Sequence, residues 1–307
     1  MRKAIRIGTR ESQLAVWQAT TVKQLLESEG FPAELVYIKS EGDVDLVTPL
    51  YEMGVQGIFT RSLDIALLSD RIDIAVHSMK DVPTQLPRGI QQAAVLKRGP
   101  IHDLLVYKND HHFLEDLSGH AVIATSSIRR IAQWLNRYPN HVMENLRGNV
   151  NTRMKKLAAE NWDAAILAQA GLERIGLRPE TSIVLDWMLP APSQGAIMIA
   201  CKSDDEYSKE ACAALNHEAT ALCTNQEKAF LRTLMGGCST PISALATIEN
   251  NELIFRGSIL SVDGKQKAEI HKHVPVTEAA GIGENAALEL LENGGREISE
   301  SIKHAKS

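Results

Sequence analysis

Hydrophobic and polar positions follow two alternating periods along the first part of the chain. Short apolar runs of strand length precede segments in which apolar side chains recur every three or four residues, as in an amphipathic helix. The run 3–9 is followed by a helix that ends at Gly30, and a second strand over 33–38 completes a β-α-β unit. The residues expected on the buried face of this helix are Leu14, Trp17, Thr21, Val22 and Leu25. Units of this kind predict an α/β fold.

The strand pattern returns several times before the character of the chain changes. Further apolar runs of strand length are 72–77, 121–124, 141–144, 163–168 and 196–200. From residue 244 onward, three strand-like runs alternate around the turn sequences Asn250-Asn251 and Asp263-Gly264, and a helix follows over 278–292. This last part is typical of a small α+β domain.

Two crossings between the α/β parts, near residues 97 and 190, define the expected domains. We predict a discontinuous first lobe over 1–97 and 196–214, a second lobe over 101–190 and a C-terminal α+β domain over 218–307. Two α/β lobes joined by two crossings resemble the architecture of periplasmic binding proteins, in which the ligand lies between the lobes. A chain of 307 residues suits several domains, because a single hydrophobic core stops growing at about 250–300 residues.

The N-terminus and the cysteines indicate the compartment. Met1-Arg2-Lys3 leads directly into a strand-like run without the apolar core of a signal peptide, and no later run is long enough to span a membrane. The cysteines, which show neither CxxC pairing nor zinc-ligand spacing, are Cys201, Cys212, Cys223 and Cys238. We therefore expect a cytoplasmic protein with reduced thiols, no membrane association and no metal site.

The net charge argues against nucleic acid as a partner. At −5, the chain is not expected to bind nucleic acid in general. Its arginines nevertheless gather near predicted strand-to-helix turns, where a guanidinium group can pair with an anion through two parallel hydrogen bonds. These arginines are Arg10, Arg129, Arg130, Arg147, Arg153 and Arg174. Together they predict a site for a small polyanion, although a solvated side chain is the alternative for any single one.

The first lobe is expected to place polar residues beyond the carboxyl ends of its strands. Ligands of α/β sheets bind at this edge, next to helix N-termini. Arg10 and Ser12 follow the first strand, and Lys80 and Asp81 follow the strand 72–77. Lys80 and Asp81 would bring a base and an acid to the rim of a cleft. The alternatives are a helix cap for Ser12 and a solvated turn for the Lys-Asp pair.

Three successive strand-to-helix turns in the second lobe each present arginine. After the strand 121–124, hydroxyl groups and backbone N–H groups begin a helix that carries two arginines one turn later, which is typical of an anion site. The residues of this turn are Thr125, Ser126, Ser127, Arg129 and Arg130. The next turns present Arg147 and Arg153 around Gly148, and then Arg174. A helix cap would explain the serines but not the paired arginines.

Gly236-Gly237-Cys238 forms a loop signature just ahead of Pro241. Two glycines let the backbone turn with positive φ and approach a bound group, and the proline ends any helix that runs into it. The pattern predicts a thiol on a loop tip that reaches into a cleft. The alternative is a buried structural cysteine, because free cysteine usually packs as a small hydrophobic residue.

Five motifs, in their order and spacing, resemble the porphobilinogen deaminase (hydroxymethylbilane synthase) family over essentially the whole chain. They are Gly8-Thr9-Arg10-Glu11-Ser12-Gln13-Leu14-Ala15, His77-Ser78-Met79-Lys80-Asp81-Val82-Pro83, Thr125-Ser126-Ser127-Ile128-Arg129-Arg130, Leu146-Arg147-Gly148-Asn149-Val150 and Gly236-Gly237-Cys238. The resemblance implies three domains, with Cys238 of the third facing the cleft of the first two. It also implies a dipyrromethane cofactor bound to Cys238 through a thioether, made from the enzyme's own substrate or product and never turned over.

The same resemblance implies a reaction and the residues that carry it. Four porphobilinogen molecules add head to tail, each losing ammonia, and water releases the linear tetrapyrrole hydroxymethylbilane. Asp81 matches the family's catalytic aspartate, which stabilises the cationic azafulvene, and Lys80 matches a cofactor contact beside it. The other residues that match cofactor-binding or substrate-binding positions are Arg10, Ser12, Thr125, Ser126, Ser127, Arg129, Arg130, Arg147, Arg153 and Arg174.

Further implications concern partners and departures from the family pattern. We expect a monomer that passes its product to a uroporphyrinogen III synthase without a stable complex. The family commonly has basic or other charged residues at several positions that differ here, namely Glu41, Glu52, Gln56, the segment 100–103, Thr233 and Met235. The departures at Glu41, Glu52 and Gln56 concern ion pairs of the loop after residue 39, and the whole set leaves Asp81, the arginines and Cys238 intact.

Two other functions compete with this interpretation. A two-lobed anion-binding protein without catalysis would explain the lobes and the arginines, but not Cys238 or the third domain. A cysteine-nucleophile transferase or hydrolase would need a histidine beside Cys238, for which His77 and His217 are the candidates. Release of ammonia from porphobilinogen distinguishes both alternatives from the family reaction.

Overall fold

The structure is a computed structural model that describes residues 2–39, 60–234 and 240–304, with side chains through residue 302. The described residues divide into two compact units. The first unit consists of residues 2–39, 60–100 and 194–222, and the second of residues 101–193, 223–234 and 240–304. The finer division into three domains with the boundaries given above stays a prediction.

Strands and helices alternate through most of the chain. In chain order, the strands of the described residues are β1 (Ile5–Thr9), β2 (Ala33–Tyr37), β3 (Ile74–Ser78), β4 (Ile90–Val95), β5 (Asp103–Tyr107), β6 (Val122–Ala124), β7 (Val142–Glu144), β8 (Ala164–Ala168), β9 (Ser182–Leu185), β10 (Ile197–Lys202), β11 (Ile242–Glu249), β12 (Glu252–Leu260) and β13 (Lys267–Pro275). The helices are α1 (Gln13–Ser28), α2 (Arg61–Leu68), α3 (Ile128–Arg137), α4 (Val150–Ala159), α5 (Gln169–Glu173), α6 (Glu206–Ala213), α7 (Glu218–Thr233), α8 (Ile282–Leu290) and α9 (Arg296–His304). Every predicted apolar run coincides with a strand, whereas β4, β5 and β9 were not predicted.

The large sheets of the two units share one strand arrangement. The order is β2-β1-β3-β10-β4 in the first unit and β7-β6-β8-β5-β9 in the second. In each sheet the first three strands are parallel, and the fourth runs antiparallel to both of its neighbours. β10 pairs with β3, which confirms that the run 196–200 returns to the first sheet. The second unit also contains an antiparallel sheet of order β11-β12-β13, so the α/β fold class with a small α+β part is confirmed.

Helix α1 packs on the first sheet with a face that shares Val22 with the predicted one but is otherwise different. Its buried residues are Gln18, Ala19, Val22 and Leu26. Trp17 and Leu25 are 38% and 39% exposed, so their assignment to the buried face is wrong. The small side chain of Ala19 belongs to the apolar cluster that includes β1, and it lets the helix lie close to the strands. A periodic stripe of large residues is therefore not always the buried one.

A buried ion-pair cluster lies in the second unit. Asp103, the first residue of β5, accepts hydrogen bonds from Nη2 of Arg129 at 2.6 Å and from Nη2 of Arg130 at 2.7 Å. Burial alone would raise the pKa of Asp103, but the two guanidinium groups outweigh burial and hold this pKa well below its usual range. One carboxylate faces two guanidinium groups, so the cluster keeps a net positive charge.

The remaining terminal nitrogens of the two arginines are also bonded. Nη1 of Arg129 donates to the carbonyl oxygen of Leu189 at 2.8 Å, and Nη1 of Arg130 donates to the carbonyl oxygen of Ile166 at 2.9 Å. The cluster therefore ties the start of α3 to β5, β8 and the second crossing. Such a network is expected to hold these segments in one arrangement.

A second buried carboxylate, that of Glu227 in α7, joins separate segments of the second unit. Its Oε2 accepts the N–H of Ser193 at 2.5 Å, and its Oε1 accepts the N–H of Ala246 in β11 at 2.8 Å. Ser193 has a φ of 64°, in the left-handed region that costs a residue other than glycine about 1–2 kcal/mol. The carboxylate thus fixes the end of the second crossing to the C-terminal sheet.

The hairpin turn between β12 and β13 packs directly on α3. Gly264 has a φ of 74°, and a Cβ at this position would lie 2.5 Å from the carbonyl oxygen of Ala132 and 2.6 Å from the backbone nitrogen of Asn136. Nδ2 of Asn136 also donates to the carbonyl oxygen of Gly264 at 2.6 Å. Helix α3 therefore contacts the C-terminal sheet near its end and carries the two buried arginines at its start.

We expect Asp103→Asn to destabilise the protein by about 3–5 kcal/mol at neutral pH, because two buried guanidinium groups lose their counter-ion. The folded pKa of Asp103 is depressed, so its stabilisation is present above the unfolded pKa of about 4 and is lost as the pH falls below it. Thermal unfolding between about pH 3 and pH 7 should show a flatter profile for the variant. Asp204→Asn, at an exposed site, is the control. Equal stability of Asp103→Asn and wild type at pH 7 would contradict the prediction.

We expect Ser193→Gly to raise the free energy of unfolding by up to about 1 kcal/mol, because glycine removes the cost of the left-handed backbone. Little is lost with the side chain, whose Oγ lies 3.5 Å from the carbonyl oxygen of Thr224. Ser193→Val should instead lower this free energy, because a branched side chain tolerates positive φ poorly. Denaturant unfolding of the two variants measures both effects. A glycine variant less stable than wild type would contradict the proposed backbone strain at Ser193.

Candidate functional site

The first unit brings three of the predicted site residues to one edge of its sheet. β1 and β3 are parallel neighbours, so their carboxyl ends lie at the same edge. Arg10 follows β1, and Lys80 and Asp81 belong to the 3₁₀ turn Met79–Asp81 that follows β3. This edge is the place where ligands of α/β sheets bind.

Helix α1 supports this edge with two polar residues. Ser12 is the N-cap of α1, and its Oγ accepts the N–H of Ala15 at 3.4 Å, as the helix-cap interpretation expects. Gln18 is buried, and its Nε2 donates to Oγ of Ser78 at 2.9 Å, just before the Met79–Asp81 turn. Gln18 was missed in the sequence, because one glutamine within an amphipathic helix carries no signal of its own.

The turn that carries Asp81 is held by backbone hydrogen bonds on both sides. The N–H of Met79 donates to the carbonyl oxygen of Ala196 at 3.0 Å, and the N–H of Val82 donates to the carbonyl oxygen of Met79 at 3.2 Å. Asp81 itself is half-buried. Among the residues that the structure describes, no side chain forms a hydrogen bond or an ion pair with its carboxylate. Both oxygens can therefore accept bonds from a ligand.

His77 is the second-last residue of β3, just before this edge, and it carries no charge near neutral pH. Burial, with the positive charge of Arg10 as a smaller cause, lowers the pKa of His77 to about 4. The imidazole is therefore neutral over the physiological range. His77 was one candidate for a histidine partner of Cys238, but its deep burial in the first sheet favours a structural role.

The second unit gathers the other predicted residues at the carboxyl edge of its own sheet. β6, β7 and β8 are parallel. Thr125 and Arg147 lie in the turns after β6 and β7, whereas Arg174 lies at the end of the short helix α5 that follows β8 directly. Asp103 begins the antiparallel β5 opposite Ala168 at the end of β8, so it lies at the same edge. The three segments predicted to carry arginine therefore follow neighbouring strands, but Arg174 lies one short helix beyond its strand and not in the predicted strand-to-helix turn.

The hydroxyl groups of the first turn are used in different ways. Oγ of Ser126 donates to the carbonyl oxygen of Leu146 and thereby joins the turn after β6 to the turn after β7. Oγ1 of Thr125 is buried and accepts the N–H of Ser127 at 3.3 Å. Ser127 occupies the N-cap position of α3, but its side chain makes no capping bond. Its hydroxyl is available at a helix N-terminus, where anions bind favourably.

The arginines differ in their surroundings. Arg129 and Arg130 are 5% and 4% exposed and bonded to Asp103, and Arg147 is also buried. Nε of Arg153 donates to the carbonyl oxygen of Gly148 at 2.8 Å. Burial lowers the pKa of Arg174 to about 10, which leaves its guanidinium group charged at neutral pH. The carboxyl edge of the second unit's sheet therefore carries several positively charged side chains.

Gly148 shapes the turn between Arg147 and Arg153. Its φ is 115°, and a Cβ at this position would lie 2.7 Å from Cγ2 of Thr152. Oδ1 of Asn149 caps α4 by accepting the N–H of Thr152 at 3.0 Å. Only glycine fits this close approach, which supports the sequence-based turn at this position.

Asp103 is another residue of the candidate site that sequence reasoning missed. It appeared only as part of the segment 100–103 that departs from the family pattern. The available signal was an acidic residue directly before the apolar run Leu104-Leu105-Val106, because a carboxylate at the start of a buried strand needs a cation nearby. Neither the strand nor its antiparallel direction was predicted, so Asp103 could not be assigned to the arginine edge.

Other predicted features lie outside the described residues. Cys238 is among them, as are Glu41, Glu52, Gln56 and Met235. Within the described ranges, no group of histidine, cysteine and carboxylate side chains could hold a metal ion. None of the described helices has both the length and the apolar character to cross a membrane.

Several solved structures are similar to the chain. A probable amino-acid ABC transporter extracellular-binding protein from Bacillus subtilis has a TM-score of 0.44 and 12% identity, over 76% of this chain and 98% of that one. A nutrient binding protein from Burkholderia cenocepacia, bound to methionine, has a TM-score of 0.43 and 16% identity, over 68% and 90%. A putative L-cystine ABC transporter from Listeria monocytogenes has a TM-score of 0.40 and 12% identity, over 74% and 94%. Likenesses at this level indicate neither ligand nor reaction.

Two protein-family models together match a larger part of the chain than these structures do. The model described as "Porphobilinogen deaminase, dipyromethane cofactor binding domain" matches residues 5–210, which include both arginine-bearing sheet edges and the turn of Asp81. The model described as "Porphobilinogen deaminase, C-terminal domain" matches residues 221–292. Because these matches take in nearly the whole chain, the resemblance seen in the five sequence motifs is confirmed, and the chain belongs to the porphobilinogen deaminase family.

Proposed function

We propose that Asp81 is the catalytic residue of this chain and that Cys238 carries its cofactor. The family activity is that of hydroxymethylbilane synthase, a transferase of porphyrin and haem biosynthesis that condenses porphobilinogen with loss of ammonia. Its cofactor is a cysteine-linked dipyrromethane. The observation that carries the assignment of Asp81 is the Met79–Asp81 turn, which is held from two sides and presents a carboxylate without a side-chain partner among the described residues.

The proposed role of Asp81 follows from the place at which positive charge develops on the substrate during the reaction. When ammonia leaves porphobilinogen, positive charge spreads over the pyrrole ring. A carboxylate near the pyrrole N–H stabilises this charge and can pass a proton to the departing amine. Asp81 suits this role because no cation neutralises it within the described ranges, even though Lys80 is its neighbour in the turn.

The residues at each sheet edge fit acetate and propionate groups, which the cofactor and the growing chain carry. Guanidinium groups, hydroxyl groups and the N–H groups at the start of α3 are the donors that carboxylates prefer. When bound, the dipyrromethane supplies the acceptor pyrrole for the first condensation. The residues that we propose as its ligands, or as ligands of the substrate, are Arg10, Ser12, Lys80, Thr125, Ser126, Ser127, Arg129, Arg130, Arg147, Arg153 and Arg174.

These residues do not contribute in the same way. Arg129 and Arg130 are buried against Asp103, so we propose that they act mainly through the net positive charge of their cluster. Ser127 keeps its hydroxyl unused by the helix cap and is suited to direct contact. Ser12 and Ser126 combine a structural bond with lone pairs that stay open to a ligand.

The remaining expectations rest on the family resemblance. We propose a cytoplasmic monomer whose small-molecule substrate is porphobilinogen. A uroporphyrinogen III synthase is the proposed next enzyme, which would take the linear product without a lasting complex. Neither nucleic acid nor membrane is proposed as a partner.

We expect Asp81→Asn to lower kcat about a hundredfold or more, because the variant loses the charge that stabilises the cationic pyrrole. Attachment of the cofactor should persist. The measurements are ammonia release from porphobilinogen and the intact mass of the variant. Asp204→Asn, which changes an exposed aspartate of the same unit, should keep the wild-type rate. A near-normal rate for Asp81→Asn would remove this residue from the proposed role.

We expect the denatured protein to carry an excess mass of two linked pyrrole units on the peptide that contains Cys238. Cys238→Ser should lack this adduct, because serine cannot form the thioether. Cys223→Ser, at a buried cysteine of α7, should retain it. An adduct that persists in Cys238→Ser would assign the attachment to another residue. A wild-type protein that gains no adduct after incubation with porphobilinogen would favour an anion-binding protein instead.

A further inference from the structure

A buried carboxamide faces the ammonium group of Lys80. Nζ of Lys80 donates to Oε1 of Gln194 at 3.3 Å, and Gln194 is 1% exposed. A lysine ammonium group offers only donors, so the side-chain atom that it meets on Gln194 is the carbonyl oxygen. The two residues are far apart in the sequence, and they meet because β10 returns to pair with β3.

The backbone that carries Gln194 is fixed over three residues. The carbonyl oxygen of Gln194 accepts Nε of Arg98 at 2.9 Å, and that of Gly195 accepts the N–H of Gly99 at 3.0 Å. The carbonyl oxygen of Ala196 accepts the N–H of Met79 at 3.0 Å, in the same turn as Lys80. Three consecutive carbonyl groups are thus bonded to segments of the first unit, and Gln194 has a defined position relative to Lys80.

The glycine after Gln194 makes this arrangement specific. Gly195 has a φ of 86°, and a Cβ at this position would lie 2.6 Å from the carbonyl oxygen of Pro100 and 2.8 Å from that of Gly99. The crossing segment therefore passes closely over the chain at 99–100. This contact leaves little freedom for the backbone of Gln194 to move away from the Met79–Asp81 turn.

The neutrality of the carboxamide matters as much as its position. A carboxylate in this place would form a buried ion pair with Lys80 and cancel its charge. A carboxamide oxygen accepts one N–H of the ammonium group and adds no negative charge of its own.

We propose that Gln194 is a positioning residue, which orients the Lys80 ammonium group toward a carboxylate of the pyrrole chain through a neutral acceptor oxygen. This inference rests on the proposed function, in which Lys80 binds such a carboxylate. It predicts that the effect of changing Gln194 depends on the presence of Lys80.

A double-mutant cycle on the holoenzyme tests this dependence. Lys80→Met and Gln194→Met should each lower kcat/KM for porphobilinogen about tenfold, mostly through KM, because each breaks or misdirects a hydrogen bond to a charged group. The double variant should be no worse than Lys80→Met alone, since removal of both partners leaves nothing to position. Gln194→Glu should lower kcat/KM more than Gln194→Met, although it keeps an acceptor oxygen.

The possible results separate the role of Gln194 from the role of Lys80. Intact mass first establishes that every variant carries the two-pyrrole adduct, and thermal unfolding establishes that each is folded. Independent, multiplicative losses in the double variant would mean that Gln194 only packs the crossing segment, and they would overturn the inference while leaving the role of Lys80. A fully active Gln194→Glu would overturn it as well. Wild-type kcat/KM in Lys80→Met would refute the proposed role of Lys80, and the inference would fail with it.

Discussion

The pairing of one buried carboxylate with two guanidinium groups is the interaction on which the second unit depends. Asp103 bonds Arg129 and Arg130 in a place from which water is excluded, and both arginines continue to backbone carbonyl groups. Removing water from three charges is costly unless each is bonded, so this geometry has little room to vary. The excess of positive charge arises because two guanidinium groups share one carboxylate. It makes the sheet edge attractive to carboxylates without exposing the arginines that generate it.

The first unit differs from the second in how its carboxylate is bonded. Its carboxylate, Asp81, is left without a side-chain partner among the described residues, and the nearby lysine is bonded by a neutral oxygen. The imidazole of His77 is held neutral by burial. In the second unit a charge cluster is bonded internally and keeps a surplus of positive charge, and in the first unit the lysine is bonded to a neutral oxygen. Both arrangements provide preorganised charge at the edge of a sheet.

The sequence predicted most of the frame and part of the site. Strand-length apolar runs and turn residues were sufficient for the β-α-β units and the C-terminal sheet, because these signals are local. The buried face of α1 was predicted correctly at Val22 but not at Trp17 or Leu25, because the small Ala19 is buried in their place. Asp103, Gln18 and Gln194 were not recognised as partners of site residues, because each acts through a residue distant in the chain. Pairing across a sheet decides such contacts, and periodicity carries no information about it.

The hairpin turn at Asp263-Gly264 has a practical consequence for handling this protein. An Asp-Gly turn between two strands normally offers a convenient position for an inserted tag or a fluorescent label. Here Gly264 touches the backbone of α3, and Asn136 is bonded to its carbonyl oxygen. An insertion at this turn would push against the helix that begins with Arg129 and Arg130. Reporter groups are better attached at Asn250-Asn251, the opposite end of the same sheet, where the chain turns with positive φ at two exposed residues.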